Sequence, residues 1–159
     1  MADTLLDIRN LAVQYQTDDA TIYAVNNINL AIRQGETIGI VGETGAGKTT
    51  IAKSIMRILP NPQGKIVSGE IRFKDQNLLD LPEKEMQKVR GNQIAMIFQD
   101  PMTALNPIET VGYQIAEAIR RHNKITQAEA DRRACDMLET VGIPMDRFGE
   151  YPHQFSGGM

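Results

Sequence analysis

The stretch from Gly42 to Thr49 constrains this chain more than any other. It reads Gly-Glu-Thr-Gly-Ala-Gly-Lys-Thr and matches G-x-x-x-x-G-K-T, the phosphate-binding loop of proteins that handle nucleoside triphosphates. The apolar run 37–41 before it predicts a strand, and the run 51–59 after it predicts a helix. Glycines let successive backbone N–H groups face a phosphate at the positive end of such a helix. The sequence therefore predicts a phosphate site between a strand and a helix.

Two side chains of this loop have specific expected roles. Lys48 is expected to reach the β- and γ-phosphates, and the Thr49 hydroxyl is expected to ligate Mg²⁺. The rest of the phosphate cradle is expected to come from the loop residues Gly42, Glu43, Thr44, Gly45, Ala46 and Gly47. The sequence therefore predicts a site for a nucleotide with its metal ion.

A second candidate site follows the apolar run 94–98. The composition of this run predicts a strand buried on both faces of a parallel sheet. Ligands of open α/β sheets lie beyond the carboxyl ends of the strands, where Gln99 and Asp100 stand. The side-chain carbonyl of Gln99 is thus a candidate for the same Mg²⁺, with a plain connecting loop as the alternative.

Composition excludes several classes of protein. The 159 residues carry a net charge of -3 and no block of Lys and Arg, which argues against a nucleic-acid partner. The single cysteine, Cys135, excludes an internal disulfide and is expected to be a packed thiol. No apolar run approaches the roughly 18 residues that span a bilayer. We therefore expect a cytosolic protein that meets a membrane through a partner.

The first half of the chain predicts an antiparallel β layer. Residues 5–15 and 25–32 have the character of strands, and 70–73 predicts a third, short one. Pro60 and Pro62 are expected to stop the helix after the phosphate loop. Residues 82–89 predict a polar helix that a proline opens.

The second half changes to helical periodicity. A first helix begins after Thr110, and a second begins with a capping box in which Thr126 and Glu129 each satisfy an N–H of the first turn. Gly142 is expected to end the second helix. The predicted packing face of this helix consists of Ala134, Met137, Leu138 and Val141.

The last residues, Phe155-Ser156-Gly157-Gly158-Met159, form the third candidate site. Two adjacent glycines after a serine offer backbone N–H groups and a hydroxyl to a phosphate. Taken alone, the pattern also fits a flexible C-terminal tail.

In order and spacing these motifs resemble the ATPase subunit of ATP-binding cassette (ABC) transporters, over essentially the whole chain. Residues 90–107 and 151–159 are similar to the branch that imports dipeptides, oligopeptides or nickel, in which methionine replaces the usual glutamine at Met159. The resemblance implies an α/β fold: a P-loop NTPase (RecA-like) core with an antiparallel β layer and an α-helical subdomain. It places the β layer and partial core in residues 1–103 and the partial helical subdomain in residues 104–159.

The resemblance also assigns roles around the nucleotide. Tyr15 would stack on the adenine of ATP, although it is equally a strand residue that covers the core, and Tyr23 is a weaker candidate. Thr50 would touch the α-phosphate. Thr49 and Gln99 would complete the Mg²⁺ sphere.

Partners follow from the same resemblance. Two ATPase subunits would dimerise head to tail, so that Ser156, Gly157 and Gly158 close over the ATP of the partner subunit. The Gln99 loop and the helices would transmit closure to membrane permease subunits at the cytoplasmic face of the cell membrane, and indirectly to a substrate-binding protein. His153 is expected to be structural.

The chain departs from the family after Met159. Missing are the strand that ends in the Walker B aspartate and the glutamate that polarises the attacking water. We therefore expect a truncated chain that binds nucleotide at most and completes its sheet through another chain or stays marginally stable. The alternatives are a soluble ABC ATPase not coupled to transport and another P-loop enzyme such as a kinase.

Overall fold

All four strands that the computed structural model assigns within the described residues, 4–159, form one antiparallel sheet. β1 (Thr4–Gln16) lies between β2 (Thr21–Arg33) and β3 (Gly64–Phe73), and the short β4 (Gln76–Asn77) pairs with β3. The predicted antiparallel layer is confirmed, and its third strand is longer than predicted.

The inner face of β1 follows the alternation of its sequence, with one interruption. Leu6 and Ile8 are buried, and after a register shift Leu11 and Val13 are buried on the same side. Asn10, at a φ of 49°, lies in the interruption. A bulge of this kind adds one residue without turning the apolar set toward solvent. The core beneath the sheet is completed by Val25, Ile51, Ile71, Leu78 and Met86.

Two helices accompany the sheet. α1 (Lys48–Met56) ends earlier than predicted, because Arg57 takes a left-handed conformation with a φ of 52° and its N–H bonds back to Lys53 and Ser54. The guanidinium of Arg57 donates to the carbonyls of Leu78 and Leu81 at 3.0 and 2.5 Å. These bonds, and not Pro60 or Pro62, end the helix. α2 (Glu83–Val89) begins directly after Pro82, as predicted.

The chain divides after Arg90, and the unit that begins at Gly91 is helical. α3 (Val111–His122) and α4 (Gln127–Thr140) begin after Thr110 and Thr126, where helices were predicted to begin. Thr126 was the predicted cap, and the Thr110 side chain also accepts from an N–H of its first turn. Shorter 3₁₀ turns cover Pro101–Thr103, Met145–Gly149 and Pro152–Gln154. Gly142 has a φ of 79° and follows α4, which confirms it as the stop.

Small side chains bring the two helices together. Ala116, Ala130 and Ala134 are fully buried in one cluster, and Val111, Leu138 and Ile143 form a second. A Cβ at Gly112 would collide with the ring of Phe148, so this glycine sets a close approach. The helical unit therefore has a core of its own.

Both runs predicted as parallel strands are irregular instead. Residues 37–41 form no strand, and 94–98 contain only an isolated bridge; Val41 is 93% and Ile97 is 96% exposed. A strand persists through hydrogen bonds to a neighbouring strand, and within residues 4–159 the sheet strands pair only with one another. Both runs have the apolar composition of buried strands, but the described residues provide no neighbouring strand with which they could pair. The two strand predictions were therefore wrong.

The predicted details of α4 need two corrections. Its buried stripe runs through Ala130, Ala134 and Leu138, whereas Met137 and Val141 are more than half exposed, because the contact with α3 is made by the alanines. The capping box is half formed. The Thr126 hydroxyl accepts from the Glu129 N–H at 3.3 Å, while the Glu129 carboxylate bonds to Arg132 and Arg133 of its own helix instead.

Candidate functional site

The phosphate loop ends in a helix start that no side chain caps. Gly47 occupies the N-cap of α1 in a left-handed conformation with a φ of 83°, and it makes no side-chain cap bond. The Ala46 N–H bonds to the carbonyl of Glu43 at 3.1 Å, which curls the loop before the helix. Uncapped N–H groups at a helix N-terminus carry partial positive charge. The helix end that the sequence predicted after the loop is thus formed, and the binding of a phosphate there stays a prediction.

Close packing against β2 fixes the position of this loop. A Cβ at Gly47 would collide with the carbonyl oxygen of Ala24 and would come within 3.4 Å of the Val25 side chain. Ala24 was not predicted as part of the site, and nothing in its local pattern marks it. Glycine at position 47 therefore serves both the left-handed turn and the approach of two backbones.

The loop closes around the Lys48 ammonium. Its Nζ donates to the carbonyl of Gly42 at 2.7 Å and to that of Glu43 at 2.6 Å. An ammonium has three N–H donors, so one is left for a further acceptor. An anionic phosphate oxygen is the acceptor that gives the strongest bond at this place.

The two threonines after Lys48 point to different surroundings. Thr49 is exposed in the first turn of α1, whereas Thr50 is buried. The Thr50 Oγ1 lies 3.2 Å from the Tyr15 hydroxyl of β1. The exposed hydroxyl of Thr49 is free of protein packing and suits a metal ligand, while the role predicted for Thr50 at the α-phosphate stays a prediction.

Tyr15 is held next to the start of α1 by this bond and by a neighbouring glycine. A Cβ at Gly64, the residue paired with Tyr15 across β1 and β3, would come within 3.0 Å of the Tyr15 ring. Gly64 was missed in the sequence, although a glycine inside a strand often marks such a close approach. Tyr23 is largely exposed on β2.

Gln99 belongs to the helical unit, and Thr49 belongs to the sheet unit. Gln99 is exposed in a bend after the irregular run 94–98. Asp100 begins the following 3₁₀ turn, since its carboxylate accepts from the Met102 N–H at 3.0 Å and its carbonyl accepts from Thr103 Oγ1 at 2.9 Å. The meeting of Gln99 with Thr49 at one metal ion stays a prediction.

The Ser-Gly-Gly segment forms a tight turn at the surface. The Met159 N–H bonds to the Ser156 carbonyl at 3.0 Å. A Cβ at Gly157 or Gly158 would meet nothing within 4 Å, so both peptides are open to approach. Just before the turn, the ring of His153 stacks on Tyr151 at 5.9 Å between centroids, which supports the structural role expected for His153.

Two arginine–carboxylate ion pairs shift the pKa of one of their members, one pair in each unit of the chain. Arg90 binds the Glu83 carboxylate and donates to the carbonyl of Met56 at 2.7 Å, at the C-terminal end of α1. The hydrogen bond from Arg90 lowers the pKa of Glu83. In the helical unit, the hydrogen bond that Arg147 donates to the Glu150 carboxylate raises the pKa of Arg147.

The helical unit also contains a groove of about 770 Å³. Its lining is mostly apolar and includes some polar and charged residues. Lining residues include Leu105, Ile115, Ile119, Met137, Arg133 and Asp136. Met137, expected in the packing face of α4, is thus part of this surface. None of the described helices combines the length and apolarity that crossing a bilayer requires.

The ABC transporter family matches residues 25–159. A probable peptide ABC transporter ATP-binding protein of Sinorhizobium fredii, y4tR, is 49% identical over 99% of this chain and 48% of its own length. The oligopeptide transport ATP-binding protein OppD of Bacillus subtilis is 47% identical over 98% of this chain and 44% of its own length. The chain spans about half the length of the curated relatives it matches.

Solved structures agree on the fold. The structure described as a dimeric, post-hydrolysis state of the ATP-binding cassette MJ0796 bound to ADP and Pi has a TM-score of 0.83 at 26% identity, over 97% of this chain and 64% of that one. The structure of cbiO1 from Clostridium perfringens has a TM-score of 0.68 at 28% identity, over 98% of this chain and 57% of that one. The predicted P-loop NTPase fold is confirmed, and the chain belongs to the ABC transporter family.

Proposed function

We propose that the full-length protein binds Mg-ATP at the loop 42–49 and couples its hydrolysis to the import of peptides through membrane subunits. The observation that carries the proposal is the Lys48 ammonium enclosed by the loop carbonyls at the uncapped start of α1. The names of similar proteins support the cargo, since they include peptide, oligopeptide and dipeptide transport ATP-binding proteins.

The phosphates would lie over the helix end. The loop N–H groups and Lys48 would bind their oxygens, and Thr50 would approach the α-phosphate from the side of β1. The Tyr15 ring would stack on adenine; its bond to Thr50, beside the first turn of α1, supports this placement.

The donor set fits Mg²⁺ rather than a metal held by a protein cage. Mg²⁺ usually keeps several waters and takes one or two protein ligands beside the phosphates of its nucleotide. The exposed Thr49 hydroxyl and the amide oxygen of Gln99 would be those ligands. When bound, the ion neutralises the charge that develops on the phosphates during transfer.

The Ser156–Met159 turn would act on the ATP of a second ATPase subunit. Its open Gly157 and Gly158 peptides support this use, because backbone N–H groups that no side chain shields can approach phosphate oxygens closely. ATP would then hold two subunits together head to tail.

The groove of the helical unit would receive a cytoplasmic segment of a membrane permease subunit. Its mostly apolar lining, which also includes Arg133 and Asp136, suits a short amphipathic helix. An Ile119→Asp substitution in the lining is expected to weaken binding to permease subunits while the affinity for ATP stays unchanged. Equal permease binding by this variant would contradict the assignment of the groove.

Calorimetry of Mg-ATP binding tests the nucleotide site. Lys48→Ala is expected to weaken binding about ten- to a hundredfold, since it removes a charged hydrogen bond to phosphate. Lys84→Ala is the matched control, because Lys84 is an exposed lysine of α2 outside the loop. Equal binding by wild type and Lys48→Ala would refute the site.

Transport is tested with the full-length protein and its membrane subunits in vesicles. A peptide-loaded binding protein is expected to stimulate ATP hydrolysis, and nickel is the competing cargo. Co-purification with nucleic acid and no membrane subunit would instead favour a soluble ABC ATPase.

A further inference from the structure

One guanidinium contacts the chain just before the Ser156–Met159 turn and at the last residue of the turn. Arg147 donates from Nη2 to the Gln154 carbonyl at 2.8 Å and from Nη1 to the Met159 Sδ at 3.2 Å. Its Cζ also lies 4.3 Å from the centroid of the Phe155 ring. A Cβ added at either of the two glycines between these contacts would meet nothing within 4 Å.

Arg147 is itself held to the core of the helical unit. Its Nε and Nη2 bind the same Glu150 carboxylate oxygen at 2.8 and 2.6 Å. The carbonyl of Glu150 accepts from the Val111 N–H at 2.9 Å, in the first turn of α3. Phe155 packs against the cluster of Val111, Leu138 and Ile143. The guanidinium therefore links the exposed turn to the start of a packed helix.

A turn with two adjacent glycines loses much conformational entropy when a ligand orders it. Holding both of its ends beforehand reduces that loss, which raises affinity without any new contact to the ligand. The Arg147 contacts at the two ends of the turn have this effect on the backbone of Ser156, Gly157 and Gly158.

We propose that Arg147 is a positioning residue that preorganises the Ser156–Met159 turn for the ATP held by a partner subunit. The proposal rests on the proposed function, in which this turn closes over the partner's nucleotide. Arg147 does not touch that nucleotide; it acts through the backbone of the turn.

Arginine is required here by geometry rather than by charge alone. The planar fork binds Glu150 on one edge and still has donors for the Gln154 carbonyl and the Met159 sulfur. A lysine at position 147 keeps the ion pair with Glu150 but, as a compact ammonium, cannot serve both ends of the turn. Arg147→Lys therefore keeps the positive charge and removes the simultaneous contacts with the Gln154 carbonyl and the Met159 sulfur.

Two measurements on the full-length protein test the proposal. Amide hydrogen exchange at 156–159 is expected to speed up in Arg147→Lys and Arg147→Met, with exchange in α3 and α4 unchanged. Pairing of subunits driven by a slowly hydrolysed ATP analogue is expected to weaken about tenfold, from the lost ordering of the turn. ATP affinity of the single subunit, set at Lys48, is expected to stay within twofold.

Arg132→Met is the matched control, since Arg132 pairs with Glu129 on α4 of the same unit. It is expected to alter neither exchange at 156–159 nor pairing. Should Arg147→Met fail to fold, as judged by far-UV circular dichroism, Arg147→Lys carries the test. Unchanged exchange at 156–159 in Arg147→Lys, or unchanged pairing, would overturn the proposal.

Ser156→Arg distinguishes the proposed role of Arg147 from the proposed action of the turn on the ATP of a partner subunit. If Ser156→Arg abolishes pairing while Arg147→Lys pairs as wild type does, only the role of Arg147 is refuted. If Ser156→Arg pairs normally, the action of the turn on a partner's ATP is refuted, and the role of Arg147 falls with it.

Mixed dimers add a readout that a general loss of stability would not give. With Lys48→Ala in one subunit and Arg147→Met in the other, one of the two composite sites stays intact. With both substitutions in one subunit and a wild-type partner, neither site is intact. Pairing driven by the ATP analogue is expected to survive in the first arrangement and to weaken in the second; equal pairing in both would also refute the proposal.

Discussion

Replacing Gly47 by alanine tests how the phosphate loop is held, because Gly45 offers a matched comparison. Both glycines are left-handed, with φ values of 83° and 85°. They differ in surroundings: a Cβ at Gly45 meets nothing within 4 Å, whereas one at Gly47 collides with the backbone carbonyl of Ala24. Both substitutions therefore strain the backbone through the positive φ, but only Gly47→Ala also causes a collision.

The magnitudes follow from these two terms. A left-handed backbone costs alanine about 1–2 kcal/mol, whereas the lower entropy of the unfolded chain stabilises the variant by about 0.4–1 kcal/mol. The free energy of unfolding of Gly45→Ala should therefore be lower than that of wild type by about 1 kcal/mol. Gly47→Ala adds an overlap with backbone, which no rotamer change relieves and which costs about 1–3 kcal/mol further. We expect Gly47→Ala to lower the free energy of unfolding by about 3 kcal/mol in total.

Thermal unfolding without nucleotide measures the difference, since no ligand then contributes. One kcal/mol corresponds to about 4–8 °C for a unit of 60–100 residues, so Gly47→Ala should melt at least about 10 °C below wild type. Amide exchange in α1 assigns the loss to the sheet unit. Equal melting temperatures for Gly45→Ala and Gly47→Ala would refute the reasoning that packing against Ala24 positions the loop.

Three smaller predictions concern single contacts. Thr126→Ala should destabilise the helical unit by about 1 kcal/mol, as measured by urea unfolding, since it removes the N-cap of α4. Glu83→Gln removes a carboxylate whose pKa is lowered by Arg90. Such a group stabilises the fold above its unfolded pKa and loses the effect as the pH falls through its folded pKa. Wild type should therefore exceed Glu83→Gln in stability by less than about 1 kcal/mol at pH 7, and this advantage should disappear in acid titration. Tyr15→Phe loses the bond to Thr50 but keeps the ring, so ATP affinity should hold within about threefold, whereas Tyr15→Ala should lose about tenfold if the ring stacks on adenine.

The accuracy of sequence reasoning here depends on how local each feature is. The phosphate loop, the cap at Thr126 and the stop at Gly142 are each decided by a few neighbouring residues, and the structure forms all of them. The runs 37–41 and 94–98 have the composition of buried strands, yet a strand also needs partner strands elsewhere in the chain. The composition of a segment shows that it could be buried, but it does not show whether a partner strand is present to pair with it.

The same distinction explains which parts of the site were missed. Gly47 and Gly157 are visible in the sequence because glycine itself marks a special backbone, but the groups that support these glycines are ordinary residues outside their motifs. Ala24 contributes only a carbonyl oxygen, and Arg147 contributes a guanidinium ten residues before Gly157 that resembles any surface arginine. Their importance comes from where the fold puts one atom. Since a turn gains affinity only when its ends are held, a phosphate motif without its distant supports is an incomplete description of the site.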